Sequence, residues 1–265
     1  MTYLVLNDSL RIRFTKRGSN SRVIVLLHGW KQSHRLFDRM IQDLSKDFTV
    51  VAFDQRGMGE SDKPDSEYNF SELAGDLKAI LAHFDLSNVT LLCWSMGCTV
   101  GLSALQIGEP RIARIALLNG PLNLTKSAEF PYALEEDVLK SYIAGMEDNW
   151  PFEEYKFYED SLLSKNNELS KLLYSIGMQT PLEVGLKLVR AQTMVDHRET
   201  IKNLKIPVLA IYSQYDPYWP VALGQWIADN GKNASLVTLN ESAHCAPLEE
   251  PSHLSQILRE FVEVN

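Results

Sequence analysis

Cysteine is scarce in this chain, with three residues among 265. Cys93, Cys98 and Cys245 form no Cys-x-x-Cys pair, and their number is odd. A disulfide framework is therefore not expected, and the sequence favours a reducing, cytoplasmic environment. No histidine lies at a metal-ligand spacing such as His-Glu-x-x-His, so we expect neither a metal nor another cofactor.

Long apolar runs and an excess of basic charge are also missing. No run approaches the roughly 20 apolar residues that span a bilayer, and the first eight residues resemble no secretory signal. There are 26 Lys and Arg residues against 34 Asp and Glu residues, which gives a formal net charge of −8. Because phosphate backbones and anionic lipid repel an acidic chain, we expect no nucleic-acid or membrane partner. We expect a monomer or a homodimer that acts on a small molecule.

Short apolar segments alternate with longer helical patterns along the chain. The predicted strands are Tyr3–Asn7, Leu10–Thr15, Val23–Leu27, Thr49–Phe53, Val89–Cys93, Ile112–Leu118, Val208–Tyr212 and Ser235–Leu239. The predicted helices are Ser33–Leu44, Phe70–Phe84, Met96–Ile107, Val221–Asn230 and Pro251–Val262. Several middle strands are apolar on both faces, as in strands that helices cover on either side. The alternation predicts an α/β fold with an eight-stranded, mostly parallel sheet. The first two strands are expected to form an antiparallel hairpin at its edge, linked around Asp8 and Ser9.

The alternation stops between residues 121 and 200. This stretch is helical, poor in strand patterns and too long for an ordinary connection. We predict a helical cap here, inserted after the sixth strand, with residues 1–120 and 201–265 forming the core. The stretch holds eight Lys and Arg residues against fourteen Asp and Glu residues, a formal charge of −6. Its aromatic run from Trp150 to Tyr158 either lines a substrate pocket, through Trp150 and Phe152, or packs the cap onto the core.

Ser95 lies where an apolar strand pattern changes into a helical one, in Cys93-Trp94-Ser95-Met96-Gly97. This is the small-x-Ser-x-Gly pattern of a nucleophile elbow, with cysteine in place of the usual first glycine. The turn lifts the serine hydroxyl clear of the sheet and places it at a helix N-terminus, where the helix dipole favours developing negative charge. The alternative is an ordinary turn with an incidental serine.

A serine nucleophile needs a base and an acid that orients the base, and with this motif the chain order is serine, acid, histidine. Of the six histidines, only His244 follows a strand near the C-terminus. Asp216 follows the seventh strand, at the edge where open α/β sheets place their sites. Its alternative role is an Asx turn before a proline. Asp54 also ends a strand, but it precedes Ser95 and is expected to pair with Arg56.

The tripeptide His28-Gly29-Trp30 follows the third strand. We expect the backbone N–H groups of Trp30 and Met96 to form an oxyanion hole above Ser95, since donors of this kind stabilise the charge that develops during acyl transfer. The side chains of Trp30 and Met96 are expected to line the substrate pocket. Gly29 lets the main chain approach closely, and His28 is expected to be a structural hydrogen-bonding residue.

With Asp54-Gln55-Arg56-Gly57-Met58-Gly59-Glu60-Ser61, these motifs make the chain resemble α/β-hydrolases of the esterase, non-haem haloperoxidase and C–C hydrolase branch. The His-Gly-Trp and Trp-Ser-Met-Gly segments are similar to those of pimeloyl-[acyl-carrier protein] methyl ester esterases and short-chain carboxylesterases. The resemblance implies that Ser95 attacks an ester carbonyl while His244 takes its proton, and that water then releases an acyl-enzyme. Dehalogenase and epoxide hydrolase relatives carry aspartate at the serine position, which argues against both activities.

The acidic cap favours a small neutral ester as the substrate over an ester on an acyl carrier protein, which is itself acidic. Two other functions stay open. One is a cofactor-independent dioxygenase of a hydroxy-quinolone-type ring, a group that shares this fold and the His-Gly-Trp start. Its acid follows the sixth strand, where this chain has Asn119. The other is a receptor that keeps the three residues to bind a ligand.

Overall fold

The computed structural model of the protein describes residues 2–6 and 9–264. Its strands are β1 (Tyr3–Val5), β2 (Arg11–Arg17), β3 (Val23–Leu27), β4 (Thr49–Phe53), β5 (Val89–Trp94), β6 (Ile112–Leu118), β7 (Val208–Ser213) and β8 (Ala234–Leu239). They form one sheet in the order β1-β2-β4-β3-β5-β6-β7-β8. β2 pairs antiparallel with both β1 and β4, and the other neighbouring pairs are parallel. The predicted sheet with its antiparallel edge is confirmed. The predicted strand end at Asn7 and the link at Asp8 lie outside the described residues.

The helices cover both faces of the sheet. They are α1 (Asp38–Leu44), α2 (Phe70–His83), α3 (Met96–Gln106), α4 (Glu136–Asp148), α5 (Phe152–Asp160), α6 (Asn167–Gly177), α7 (Leu182–Gln192), α8 (Arg198–Asn203), α9 (Val221–Asn230), α10 (Ala246–Glu249) and α11 (Pro251–Val264). Alternate residues of β3 point to opposite faces, so Val25 packs with the cluster under α2, α3 and α9, and Ile24 packs with the cluster under α1 and α11. Among the helices of the described ranges, none has the length and apolar character needed to cross a bilayer.

The connection between β6 and β7, here named the β6–β7 segment (residues 119–207), contains α4 to α8. Its residues contribute to the apolar clusters on both faces of the sheet. Leu139 and Leu188 join the apolar cluster of one face, and Tyr158 and Leu173 join the cluster of the other. The boundaries of a cap at residues 121 and 200 stay a prediction.

The expected pair between Asp54 and Arg56 is wrong. The Asp54 carboxylate accepts from the backbone N–H of His34 at 2.8 Å and contacts the His34 ring Nδ1 at 2.6 Å. Arg56 instead binds Asp76 of α2, with Nε to Oδ2 at 2.5 Å. The two residues are close in sequence, but after β4 their side chains meet partners on opposite faces of the sheet.

Candidate active site

Ser95 joins β5 to α3 with φ 55° and ψ −126°, a conformation that serine rarely adopts. The turn requires a glycine two residues later. A Cβ atom added to Gly97 would lie 2.7 Å from the carbonyl oxygens of both Leu27 and His28. The strained turn leaves the Ser95 side chain partly exposed at the carboxyl end of the sheet, as the elbow pattern predicts.

Cys93 occupies the elbow position where the pattern has a small residue, and the structure explains how its side chain fits. The Cys93 side chain is fully buried. A Cβ atom added to Gly101 of α3 would lie 2.4 Å from its sulfur. Because α3 has a glycine at this contact, the Cys93 side chain fits at a position where the pattern usually has a glycine.

His244 lies between Ser95 and Asp216. Its Nε2 atom is 2.9 Å from Ser95 Oγ, and its Nδ1 atom is 2.8 Å from Asp216 Oδ2. The side chains of His244 and Asp216 are 4% and 0% exposed. A carboxylate oxygen can only accept, so Nδ1 carries the hydrogen and Nε2 presents its lone pair to the Ser95 hydroxyl.

Asp216 makes the contacts that both of the roles considered for it require. Its Oδ1 atom accepts from the backbone N–H of Tyr218 at 2.8 Å and from that of Trp219 at 3.2 Å, which is an Asx turn. Its Oδ2 atom faces His244. The turn therefore anchors the carboxylate in the orientation in which it contacts the imidazole.

The backbone of His244 is held by two side chains that the sequence reasoning did not assign to the site. The His244 carbonyl accepts from Trp94 Nε1 at 2.8 Å and from Asn119 Nδ2 at 3.2 Å. The Tyr218 ring also meets the imidazole edge-on at a centroid distance of 5.0 Å. Asn119 directly follows β6 with φ 45°, in the left-handed region that asparagine tolerates.

A second serine–histidine pair, Ser103 and His197, lies away from this site. Ser103 Oγ is 3.2 Å from His197 Nε2, and both residues are buried. The same Nε2 atom is 3.1 Å from the carbonyl oxygen of Thr99, so it carries the hydrogen. It therefore has no lone pair for Ser103. Burial also lowers the pKa of His197 to about 4.

The loop after β3 packs directly on Ser95. A Cβ atom added to Gly29 would lie 2.8 Å from Ser95 Cβ. Among the described residues, the backbone N–H groups of Trp30 and Met96 donate to no other backbone group. His28 holds the loop, because its Nδ1 lies 2.8 Å from the Gly29 carbonyl and its Nε2 accepts from a backbone N–H at 3.0 Å. Burial lowers the pKa of His28 to about 4.

An apolar cavity of about 120 Å³ opens beside Ser95 and His244. Apart from these two residues, its wall consists of Trp30, Met96, Pro121, Leu124, Leu134, Val138, Leu139, Tyr142, Phe157, Val189, Gln192, Tyr218 and Trp219. None of these side chains is an aspartate, glutamate, lysine or arginine. The described residues also contain no group of three His, Cys, Asp or Glu side chains placed to hold a metal ion.

The structure places Trp30 and Met96 on the cavity wall, but not Trp150 or Phe152. Phe152 is 73% exposed, and the Trp150 indole donates to Glu154 at 2.8 Å. The assignment of these two residues to the pocket is corrected accordingly. Phe157 is the member of this aromatic run that lines the cavity. It lies five residues after Phe152 on α5, so the two side chains point in different directions.

Residues 22–251 match the family model described as the alpha/beta hydrolase fold. The chain belongs to the alpha/beta hydrolase family. It is 24% identical over 246 residues to the pimeloyl-[acyl-carrier protein] methyl ester esterase of Neisseria meningitidis, covering 91% of this chain and 93% of that protein. It is 27% identical over 260 residues to the non-heme chloroperoxidase CPO-A1 of Kitasatospora aureofaciens, covering 92% of each. The fold is similar to that of the esterase EaEST from Exiguobacterium antarcticum, with a TM-score of 0.92, 22% identity and 99% of both chains covered. The resemblance drawn from the motifs is thus confirmed, and this alpha/beta hydrolase has esterases among its relatives, which supports ester hydrolysis in general.

Proposed function

We propose that this alpha/beta hydrolase cleaves small, uncharged carboxylic esters through an acyl-enzyme on Ser95. The observation that carries the proposal is the position of Ser95 Oγ, which faces an apolar cavity with the lone pair of His244 Nε2 at 2.9 Å. Asp216 is bound behind the imidazole at 2.8 Å. These contacts are the ones that a nucleophile, its base and an orienting acid require, which supports the proposal.

In the proposed mechanism, His244 Nε2 takes the Ser95 proton while Ser95 Oγ forms a bond to the ester carbonyl carbon. The carbonyl electron pair moves to its oxygen, which faces the N–H groups of Trp30 and Met96. Collapse of this intermediate breaks the bond to the alcohol oxygen, which takes the proton from His244. Water then attacks the acyl carbonyl carbon while His244 takes its proton. The bond between that carbon and Ser95 Oγ breaks, Oγ takes the proton from His244, and the acid is released. Asp216 stabilises the imidazolium in both steps.

The cavity supports a small and neutral substrate. An engineered protein cavity of about 150 Å³ binds benzene, so about 120 Å³ accommodates an acyl or alcohol group of similar size or smaller. Burying an unpaired charge in such a wall is costly, which disfavours a charged substituent. The acidic β6–β7 segment above the cavity gives no attraction to an acidic carrier protein. The dioxygenase alternative needs an acid directly after β6. This chain has Asn119 there, and its side-chain amide donates to the carbonyl oxygens of Ala243 and His244.

Hydrolysis of p-nitrophenyl esters of increasing acyl length tests the proposal. Ser95→Ala should lower kcat by roughly 10⁴-fold or more, because the nucleophile is lost. Ser103→Ala is the matched control, since it removes a serine hydroxyl that also contacts a histidine, and it should retain the wild-type kcat. Near-normal turnover by Ser95→Ala would overturn the proposal. Oxygen uptake on a hydroxy-quinolone that survives Ser95→Ala would instead indicate a dioxygenase, and ligand-induced stabilisation without turnover would indicate a receptor.

A further inference from the structure

Three consecutive side chains of the loop after β3 hydrogen bond to three different helices of the β6–β7 segment. The contacts are Trp30 Nε1 to the Gly185 carbonyl of α7 at 2.8 Å, Lys31 Nζ to Glu154 Oε2 of α5 at 2.5 Å, and Gln32 Nε2 to the Leu173 carbonyl of α6 at 3.1 Å. The loop that holds the Trp30 N–H beside Ser95 is therefore hydrogen-bonded to the β6–β7 segment at three consecutive residues.

The contact between Lys31 and Glu154 is a fully buried ion pair, with both side chains 0% exposed. Glu154 also accepts from Trp150 Nε1 at 2.8 Å and from the Tyr158 hydroxyl at 3.3 Å. Burial lowers the pKa of Lys31, while Glu154 opposes that shift. Removing two charges from water offsets much of their attraction, so a pair of this kind adds little stability over apolar side chains. What it does supply is one defined geometry, through short and directional contacts.

The backbone at Lys31 adopts an uncommon conformation. Its φ of 50° lies in the left-handed region, and it directly follows Trp30. Helix α7 approaches so closely that a Cβ atom added to Gly185 would lie 2.6 Å from Lys31 Cδ and 3.1 Å from the Trp30 ring. Glycine is otherwise unfavourable inside a helix. Its presence at this position lets the lysine stem pass to Glu154.

We propose that the Lys31–Glu154 pair positions the oxyanion donor, by holding the loop so that the Trp30 N–H faces the oxygen of the reacting ester. Neither Lys31 nor Glu154 lines the cavity. Both are therefore positioning residues that act through Trp30. This inference rests on the proposed function of Ser95. A displacement of the donor by about 1 Å is enough to slow the reaction, since catalysis depends on donors aimed at the developing charge.

The test is the double variant Lys31→Met/Glu154→Gln, which removes both charges and keeps an acceptor for Trp150. We expect kcat on a short p-nitrophenyl ester to fall roughly 10- to 100-fold with little change in KM. A trifluoromethyl ketone adds to Ser95 and forms an oxyanion, whereas the matching methyl ketone binds mainly as a ground-state ligand. Affinity for the trifluoromethyl ketone should fall in parallel with kcat, and affinity for the methyl ketone should stay unchanged. A role in stability alone would not separate the two ketones.

The matched control is Arg56→Met/Asp76→Asn, which neutralises a second ion pair with both side chains 9% exposed and neither on the cavity wall. It should lower thermal stability while kcat and both affinities stay at wild-type values. Lys31→Met alone, which leaves Glu154 its Trp150 and Tyr158 donors, provides a second variant, should the first fail to fold, and it should also weaken the trifluoromethyl ketone selectively. Unchanged kcat and ketone affinities in either folded variant would overturn the inference, as would equal losses in the control. If Ser95→Ala retained activity, the proposed function itself would fail.

Discussion

His28 and His197 are enclosed in the folded protein with both ring nitrogens engaged. His28 contacts the Gly29 carbonyl and a backbone N–H, and His197 contacts the Thr99 carbonyl and the hydroxyls of Ser103 and Thr200. Burial lowers the pKa of each from the ordinary 6.5 to about 4. We therefore expect acid to unfold this protein in a window that these two residues define.

The direction follows from proton binding. Between pH 6.5 and pH 4 the unfolded chain protonates both histidines and the folded chain does not, so the free energy of unfolding falls as the pH falls. At roughly 1.4 kcal/mol per pH unit for each group, each histidine contributes about 3 kcal/mol across the window. The two together amount to about 6 kcal/mol, a large share of the roughly 5–15 kcal/mol by which domains are stable. The slope in mid-window should lie between about 2 and 3 kcal/mol per pH unit.

Urea unfolding between pH 4.5 and pH 7.5 measures this slope. His197→Gln should halve it, because one of the two proton-binding sites is gone. His83→Gln, at an exposed position of α2, should leave it unchanged. Burial raises the pKa of Glu249, which acts in the opposite direction in the lower part of the window, but this contribution cancels when the variants are compared. A flat profile from pH 6.5 to pH 4.5, or an unaltered slope in His197→Gln, would contradict a destabilising role for these two histidines in acid.

Three further predictions concern the site. Asp216→Asn should lower kcat by roughly 10⁴-fold, because an amide no longer orients the His244 Nδ1–H; near-normal ester turnover would contradict this role. Gly97→Ala should destabilise the protein by roughly 1–3 kcal/mol or more, since its Cβ would lie 2.7 Å from two backbone carbonyl oxygens; an unchanged midpoint in thermal unfolding would contradict the elbow geometry. Leu139→Ala should cost roughly 2–5 kcal/mol of stability and enlarge the cavity; a series of p-nitrophenyl esters should then show faster relative turnover of longer acyl chains, and an unshifted preference would argue against this cavity as the substrate pocket.

The strands under helices on both faces were the most predictable part of the fold. β3, β4 and β6 have the bounds that the sequence predicts, because they are mostly apolar and most of their residues are buried. The predicted helix Ser33–Leu44 instead begins as a 3-10 turn, His34–Phe37, before α1. Its start is set by contacts from afar, since the backbone N–H and the ring of His34 both bind Asp54, 20 residues along the chain.

The three residues in contact at the candidate site were predictable because each follows a strand, and parallel strands bring their carboxyl ends to one edge. Their partners were not predictable. Lys31 and Glu154 are 123 residues apart, and Asn119 and His244 are 125 apart, and no local pattern links either pair. Trp150 and Phe152 were assigned to the cavity wrongly, because the direction in which α5 faces the cavity is set by packing and not by its aromatic composition.

The most direct test of Ser95 as the nucleophile is to stop the reaction in mid-turnover and locate the acyl group. A slowly hydrolysed p-nitrophenyl ester is mixed with the enzyme, the mixture is quenched in acid, and the digested protein is analysed by mass spectrometry. We expect one added acyl group, which fragmentation of the peptide localises to Ser95 and not to Ser103. Steady hydrolysis with Ser95 unmodified, or with the acyl group on another residue, would contradict this role for Ser95.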